Sequence, residues 1–240
     1  DYVATGHYAR LQKDEDTSKL LMGVDENKDQ SYFLWTLTQQ QLQKTLFPIG
    51  EYEKPKVRNM AAKFGLPTAE KKDSQGLCFV GKLDMKEFLK EFIPEKSGDV
   101  LNEQGEIVGV HDGVYFYTLG QRHGFTITKK HPDDSPYFIV NKNIDANTLT
   151  VSHKSDEGGL PHSKTEAMLC DVNWISKTNP DIKKVYSARV RYRQPLQQCR
   201  VSFNTSGNVK VTFESPQVIN SGQSFVLYEG EECLGGGVII

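Results

Sequence analysis

Cys199-Arg200-Val201-Ser202-Phe203 and Val209-Lys210-Val211-Thr212-Phe213 are two runs in which apolar and polar side chains alternate strictly. A period of two sends Cys199, Val201 and Phe203 to one face of a strand and their polar neighbours to the other, and does the same for Val209, Val211 and Phe213. The pattern recurs at Met168, Cys170, Val172 and Trp174, resumes at Val185, and returns at Phe225 and Leu227. Gly, Asn and Pro separate the runs. Several short strands joined in this way predict a small closed barrel or sandwich from about residue 164 to the end.

Upstream the pattern is mixed. Strand-like runs at 114–119, 137–141 and 149–153 are spaced by turn chemistry such as Asp112-Gly113 and Asp145-Ala146-Asn147. Before Pro94 the reading is helical with loops. Residues 29–46 fit one broken or two short amphipathic helices, and a short helix over 84–92 stops before Pro94. Pro55 sits at a first helical position; Val57, Met60, Ala61 and Phe64 follow at i, i+3, i+4 and i+7, and Gly65 closes the run. The expected class is α+β and multidomain, with boundaries near 84 and 157: segments 1–84, 85–157 and 158–240.

A length of 240 residues alone predicts one large or two small domains. Hydrophobic residues at 37% and charged residues at 25% describe a chain able to bury a core. No apolar run approaches the ~18 residues that span a bilayer. Cys78, Cys170, Cys199 and Cys233 are far apart and never form C-x-x-C, which argues against a disulfide framework or zinc knuckle and for a reducing, cytoplasmic compartment. Cys170, Cys199 and Cys233 read as core thiols. No targeting peptide is visible. The chain opens Asp1-Tyr2-Val3-Ala4-Thr5-Gly6-His7-Tyr8, without Met and in mid-pattern, and reads as the back part of something longer.

Two kinds of segment point to chemistry. In Lys71-Lys72-Asp73-Ser74-Gln75-Gly76-Leu77-Cys78-Phe79 a cysteine follows small and polar residues, with two lysines just upstream that favour a thiolate. Cys78 is either a sulfur nucleophile or carrier, or a small hydrophobe packed beside Phe79. The stretch 182–200 holds Lys183, Lys184, Arg189, Arg191, Arg193 and Arg200 and no acid, and alternation predicts Arg189, Arg191 and Arg193 on one face as a phosphate-gripping ridge. The stretch 54–72 carries six Lys/Arg against Glu70 alone. Thus a net charge of −2 conceals two basic patches, either a nucleic-acid footprint or solvated faces. Lys28-Asp29-Gln30 could cap a helix through Asp29 or could read a base or backbone. His7 stands in a tight turn beside Gly6, and 118–124 is a two-glycine turn with basic tips. There is no G-x-x-x-x-G-K loop, no G-x-G-x-x-G after a strand, no H-E-x-x-H, and no His/Cys cluster with metal-ligand spacing.

Seven motifs occur in order: Ala4-Thr5-Gly6-His7-Tyr8, Asn27-Lys28-Asp29-Gln30-Ser31-Tyr32-Phe33, Asp73-Ser74-Gln75-Gly76-Leu77-Cys78-Phe79, Thr118-Leu119-Gly120-Gln121-Arg122, Arg191-Tyr192-Arg193-Gln194, Gly222-Gln223-Ser224 and Cys233-Leu234-Gly235-Gly236-Gly237. Together they resemble the tRNA-specific 2-thiouridylase family over essentially the whole chain. The resemblance implies a PP-loop ATP-pyrophosphatase domain of which 1–84 is the rear, a central α+β domain, and a tRNA-binding C-terminal barrel. It also implies the reaction: Mg-dependent adenylation by ATP of the C2 oxygen of the wobble uridine, then sulfur delivery from a cysteine persulfide. Cys78 takes the catalytic position, Gly6 lies at the ATP, and His7, Lys28, Asp29, Gln30, Arg191, Tyr192 and Gln223 take tRNA-contacting positions. A persulfide-delivering donor protein is an implied partner, and no metal site is implied in this chain. The phosphate-binding S-G-G-x-D-S loop and a second catalytic cysteine, the expected disulfide partner of Cys78, lie upstream of Ala4-Thr5-Gly6-His7-Tyr8 in the family. The chain alone is therefore expected to be inactive. The alternatives are a stand-alone tRNA-binding module with a structural Cys78, or, with little support, a cysteine hydrolase.

Overall fold

The computed structural model describes residues 1–15, 17–70, 85–128, 135–153, 163–204 and 208–240. They fall into two compact units, a discontinuous one made of Asp1–Lys71 with Lys164–Ile240, and a continuous one, Lys72–Ser163.

The first third holds β1 (Val3–Ala4), β2 (Ala9–Lys13) and β3 (Ser18–Met22), then a single 3-10 turn at Ser31–Phe33, α1 (Gln39–Gln43), β4 (Thr45–Leu46) and α2 (Lys54–Lys63). The two short helical pieces expected over 29–46 are there. The strands were not expected: β2 and β3 form a hairpin, and β1 pairs in parallel with β4. α2 has Pro55 in its first turn and ends in Phe64 and Gly65. Gly65 has φ +64; its N–H reaches the Ala62 carbonyl and that of Leu66 the Ala61 carbonyl, the paired bonds of a Schellman stop. None of α2 is buried, and Phe64 is 75% exposed.

The central unit contains α3 (Met85–Lys90), β5 (Gly98–Leu101), β6 (Ile107–His111), β7 (Thr126–Ile127), β8 (Phe138–Asn143) and β9 (Thr148–Ser152), in a sheet ordered β7-β6-β5-β9-β8. Val100, Val108, Ile139, Leu149 and Val151 form its core. The strand expected over 114–119 is instead a 3-10 turn at Val114–Phe116. Gly113, at φ +147, turns the chain there, and the Val114 N–H donates to the Asn147 side chain in place of a ladder partner. Asn147 Nδ2 also holds the Lys96 and Ser97 carbonyls.

The last third is wholly β: β10 (Lys164–Trp174), β11 (Tyr186–Arg189), β12 (Gln197–Phe203), β13 (Val209–Gln217), β14 (Ser224–Glu229) and β15 (Glu232–Ile239). The order β10-β13-β12-β11-β14-β15 closes because β10 also pairs with β15. Alternation fills the interior with Cys199, Val201, Val211, Phe213, Phe225 and Leu227. β14 is buried on both faces: Phe225 and Leu227 point inward, while Val226 and Tyr228 meet Ala9, Leu20, Tyr32, Trp35 and Leu42 of the first third. The start of β15 accepts β3 as a further strand, Cys233 opposite Leu20, so hairpin and barrel share one sheet. Gly236 allows this closeness, since a Cβ there would strike the Phe225 carbonyl and press on the Trp35 ring.

Cys170 corrects an expectation. It is half-buried, not an interior thiol, because Ala167 and Leu169 take the inward positions of β10. Asp171, at φ +49, then breaks the register against β15 and resets the phase before the buried Trp174. Cys199 and Cys233 are core thiols, pushed up to about 12 by burial.

His111 is buried in the central unit. Its Nδ1 accepts from the Gly113 N–H, so Nε2 carries the proton and donates to the Asn147 carbonyl. Desolvation lowers its pKa below 6.5, only partly countered by that carbonyl and by Asp112 and Asp99. The unfolded chain then takes up a proton near pH 6.5 that the folded unit refuses. An NMR titration of the imidazole is expected to give a pKa below 6.5, and the protection of β6 amides against hydrogen exchange should fall as pH drops below 6.5, levelling only once folded His111 protonates.

Candidate nucleic-acid interface

The segment 23–33 is held by one carboxylate. Asp29, 1% exposed, accepts from the Gly23 and Ser31 N–H groups through Oδ1 and from the Ser31 hydroxyl through Oδ2. Its Oδ2 also takes Arg189 Nη1 at 2.8 Å, with both side chains at least nine-tenths buried. The Arg189 guanidinium lies over the Tyr228 ring at 5.6 Å, and the Tyr228 hydroxyl is 3.2 Å from Ser31 Oγ. This cluster ties the Lys28-Asp29-Gln30 loop to β11 and β14.

Asp29 is therefore not a helix cap. The N-cap of the Ser31–Phe33 turn is Gln30, which has no side-chain cap bond; Gln30 Oε1 accepts from the Tyr8 N–H and its own N–H reaches the Tyr8 carbonyl. The bond sets the loop against the turn containing His7. His7 is half-buried, its Nδ1 2.9 Å from the Thr5 hydroxyl and its ring edge-on to Phe47; burial lowers its pKa.

A second connection runs through Tyr32. Its hydroxyl donates to the Ser224 carbonyl, next to Gln223, and its ring lies 6.3 Å from Tyr192. Burial pushes the Tyr32 phenol up to about 12, with Arg191 pulling the other way; burial likewise lowers the pKa of Arg191. Phe33 reaches outward, 52% exposed, with its ring 4.6 Å from Tyr192, and the Arg193 guanidinium lies 5.2 Å from the Tyr192 centroid. Lys28, Gln30, Arg191, Tyr192 and Gln223, remote in sequence, thus belong to one connected region bordered by His7.

The predicted arginine ridge is corrected. β11 ends at Arg189, so the two-residue alternation stops there, and Arg189 is buried against Asp29. Arg191 to Gln194 form a tight turn in which the Gln194 N–H reaches the Arg191 carbonyl and Arg193 takes φ +62. Gln194 Oε1 accepts from the Val190 N–H and its Nε2 donates to Gln217, fixing the turn. Lys184 pairs with Glu229 and Arg200 binds the Lys183 carbonyl, so 182–200 does not present its cations as one row. Asp29 offers no free carboxylate edge outward. Ser31, Tyr32 and Phe33 were not singled out as parts of this region; their adjacency to Lys28-Asp29-Gln30 was the available signal.

Cys78 lies outside the described residues. Gly6 is exposed, and a Cβ there would meet Ile49 at 3.9 Å. Among the described residues no group of three or more His, Cys, Asp or Glu could hold a metal ion, the cysteines are unpaired, and no helix is long and apolar enough to cross a membrane.

Family models match in three successive parts: a tRNA methyl transferase HUP domain at 1–82, a tRNA methyl transferase PRC-barrel domain at 86–153, and an aminomethyltransferase beta-barrel domain at 164–239. Proteins named tRNA-specific 2-thiouridylase MnmA align with the whole chain. That of Hydrogenovibrio crunogenus is 48% identical over 242 residues, and the chain spans 63% of its length. That of Haemophilus ducreyi is 45% identical with 62% of its length spanned, and that of Francisella tularensis subsp. novicida 46% identical with 67% spanned. The chain belongs to the MnmA tRNA-specific 2-thiouridylase family. It is mixed α+β, a HUP fragment followed by a PRC-barrel part and a six-stranded barrel. In this member of the family the HUP fragment and the six-stranded barrel form one unit, although the sequence separates them by the whole central part.

The buried pair sets the region's stability. Removing one partner of such a pair costs about 3–5 kcal/mol, whereas a half-exposed pair contributes under about 1 kcal/mol. Asp29→Ala is therefore expected to lower the stability of the discontinuous unit by about 3–5 kcal/mol, and Lys184→Ala by less than about 1 kcal/mol. Both tryptophans, Trp35 and Trp174, are buried in this unit, so urea unfolding followed by tryptophan fluorescence measures the difference.

Proposed function

We propose that the protein containing this chain is an ATP-dependent tRNA-uridine 2-sulfurtransferase that thiolates the wobble uridine of the anticodon, and that this chain supplies its tRNA-holding surface and its persulfide cysteine. The observation that carries the proposal is the convergence of Lys28, Gln30, Arg191, Tyr192 and Gln223 on one cation- and aromatic-bearing region that His7 borders. Guanidiniums and aromatic rings together suit phosphate oxygens and unpaired bases. Lys28, Arg191 and Gln223 contact the RNA directly, with Tyr192 and His7; Asp29 acts from beneath by holding the loop.

A carbonyl oxygen is a poor leaving group, so replacing it with sulfur requires prior activation. In this proposal ATP supplies it by adenylation of the C2 oxygen, with pyrophosphate leaving. The terminal sulfur of a persulfide on Cys78 attacks C2 and expels AMP. A second cysteine thiol of the full-length protein then attacks Cys78 Sγ, forming a disulfide with it and releasing 2-thiouridine, and an external thiol reductant reopens that disulfide. A donor protein recharges the cysteine. Two facts support Cys78 in this role. Cys199 and Cys233 are held as neutral core thiols at about 12. Burial and Asp171 raise the pKa of Cys170 as well. The nucleotide site belongs to the additional length of the relatives. An isolated parallel pair, β1 and β4, with Val3 66% and Leu46 42% exposed, has the character of a margin of a larger α/β layer, since parallel sheets are normally covered on both faces. On its own the chain binds tRNA without thiolating it, in a cytoplasmic setting.

In the full-length gene product Cys78→Ser is expected to abolish 2-thiouridine formation, read by mass spectrometry of digested tRNA, while leaving tRNA affinity within about twofold of wild type. Retained thiolation would remove the persulfide role. Arg191→Ala is expected to weaken tRNA binding and to lower the slope of log affinity against log salt by about one, the signature of one lost phosphate contact. An unchanged slope would make Arg191 structural.

A further inference from the structure

We propose that Phe33 is a stacking platform for one unpaired base of the bound RNA, an inference that rests on the RNA-binding reading above. Between Ser31 and Trp35 every side chain is buried except that of Phe33, which is 52% exposed. Single exposed apolar residues are ordinary. This one is backed by a rigid base. Its N–H is fixed to the Gln30 carbonyl, and Tyr32, which meets its ring at 5.4 Å and 82°, is anchored to Ser224. Tyr192 also supports the ring, at 4.6 Å and 45°. Little conformational freedom remains for a ligand to quench, so contact energy at the exposed face converts efficiently to affinity.

Charge selects the occupant. Residues 28–33 and 189–194 contain Lys28, Arg189, Arg191 and Arg193 against one acid, Asp29, which is buried and neutralised by Arg189. The Arg193 guanidinium lies over the Tyr192 ring, 5.2 Å from its centroid, beside the Phe33 contact. An aromatic face flanked by guanidiniums matches a base joined to its phosphate: the ring takes the π-face, the cations take the backbone. Phe33 has no charge, so its contribution is independent of counterion release, unlike that of Arg191.

The test uses this chain with an anticodon stem-loop RNA carrying 2-aminopurine in its unpaired loop. The wild-type chain is expected to bind it with a salt-dependent affinity and to quench the 2-aminopurine fluorescence. Phe33→Ala should bind roughly tenfold more weakly, lose the quench and keep the wild-type salt slope, while Phe33→Trp keeps both affinity and quench. If Phe33→Ala binds and quenches as wild type does, stacking on Phe33 is wrong while RNA binding stands. If Phe33→Trp fails along with Phe33→Ala, the ring is a structural part and the inference is overturned. If the wild-type chain shows no salt-dependent RNA binding, the RNA-binding reading itself fails and this inference with it.

Discussion

The placement of the 23–33 loop on the barrel depends on the contact between Asp29 and Arg189. A carboxylate and a guanidinium withdrawn from water lose several kcal/mol of hydration each, which only close geometry and saturated hydrogen bonding offset. Asp29 meets that condition with two backbone N–H groups, a hydroxyl and the guanidinium, and Arg189 adds the face of Tyr228. The pair is costly as a source of stability but highly specific in geometry. Only one placement of the 23–33 loop against β11 and β14 satisfies it. Lys28, Gln30 and the exposed Phe33 inherit their positions from that constraint.

How much of this was legible differs along the chain. The barrel was, because its strands have one wet and one dry face and the period-two pattern is the direct imprint of that asymmetry. β14 shows the limit: buried on both faces, its residues 225–228 carry no alternation, and only Phe225 and Leu227 were read as inward. The β2–β3 hairpin was missed for a related reason. Its partner is more than two hundred residues away, and strand character conferred by such a partner leaves little local trace. α2 was fully legible, since Pro55 and Gly65 mark its ends by backbone chemistry independent of tertiary context.

For the candidate site, sequence alone grouped the segments but misjudged where some side chains sit. Alternation carried Arg189, Arg191 and Arg193 to a common face, an inference valid only while the strand continues; it ends at Arg189. Asp29 looked like a cap or a contact because its partner lies 160 positions away. Motif resemblance grouped the segments without distinguishing the residue that holds the loop from those that face outward. That distinction required burial and distance.

The strand pairing between β3 and β15 has a consequence for how the chain is made. Residues 18–22 emerge from a ribosome more than two hundred residues before their sheet neighbour at 232–233. The central unit, Lys72–Ser163, is complete in sequence and can assemble in the interval, but the first third must wait with Leu20, Tyr32, Trp35 and Leu42 uncovered. Contacts of such large sequence separation are slow to form and leave apolar surface open meanwhile. Synthesis of this segment therefore contains a long interval in which residues 9–42 depend on dilution or a chaperone, and loss of β15 would unmake the packing of the β2–β3 hairpin as surely as that of the barrel.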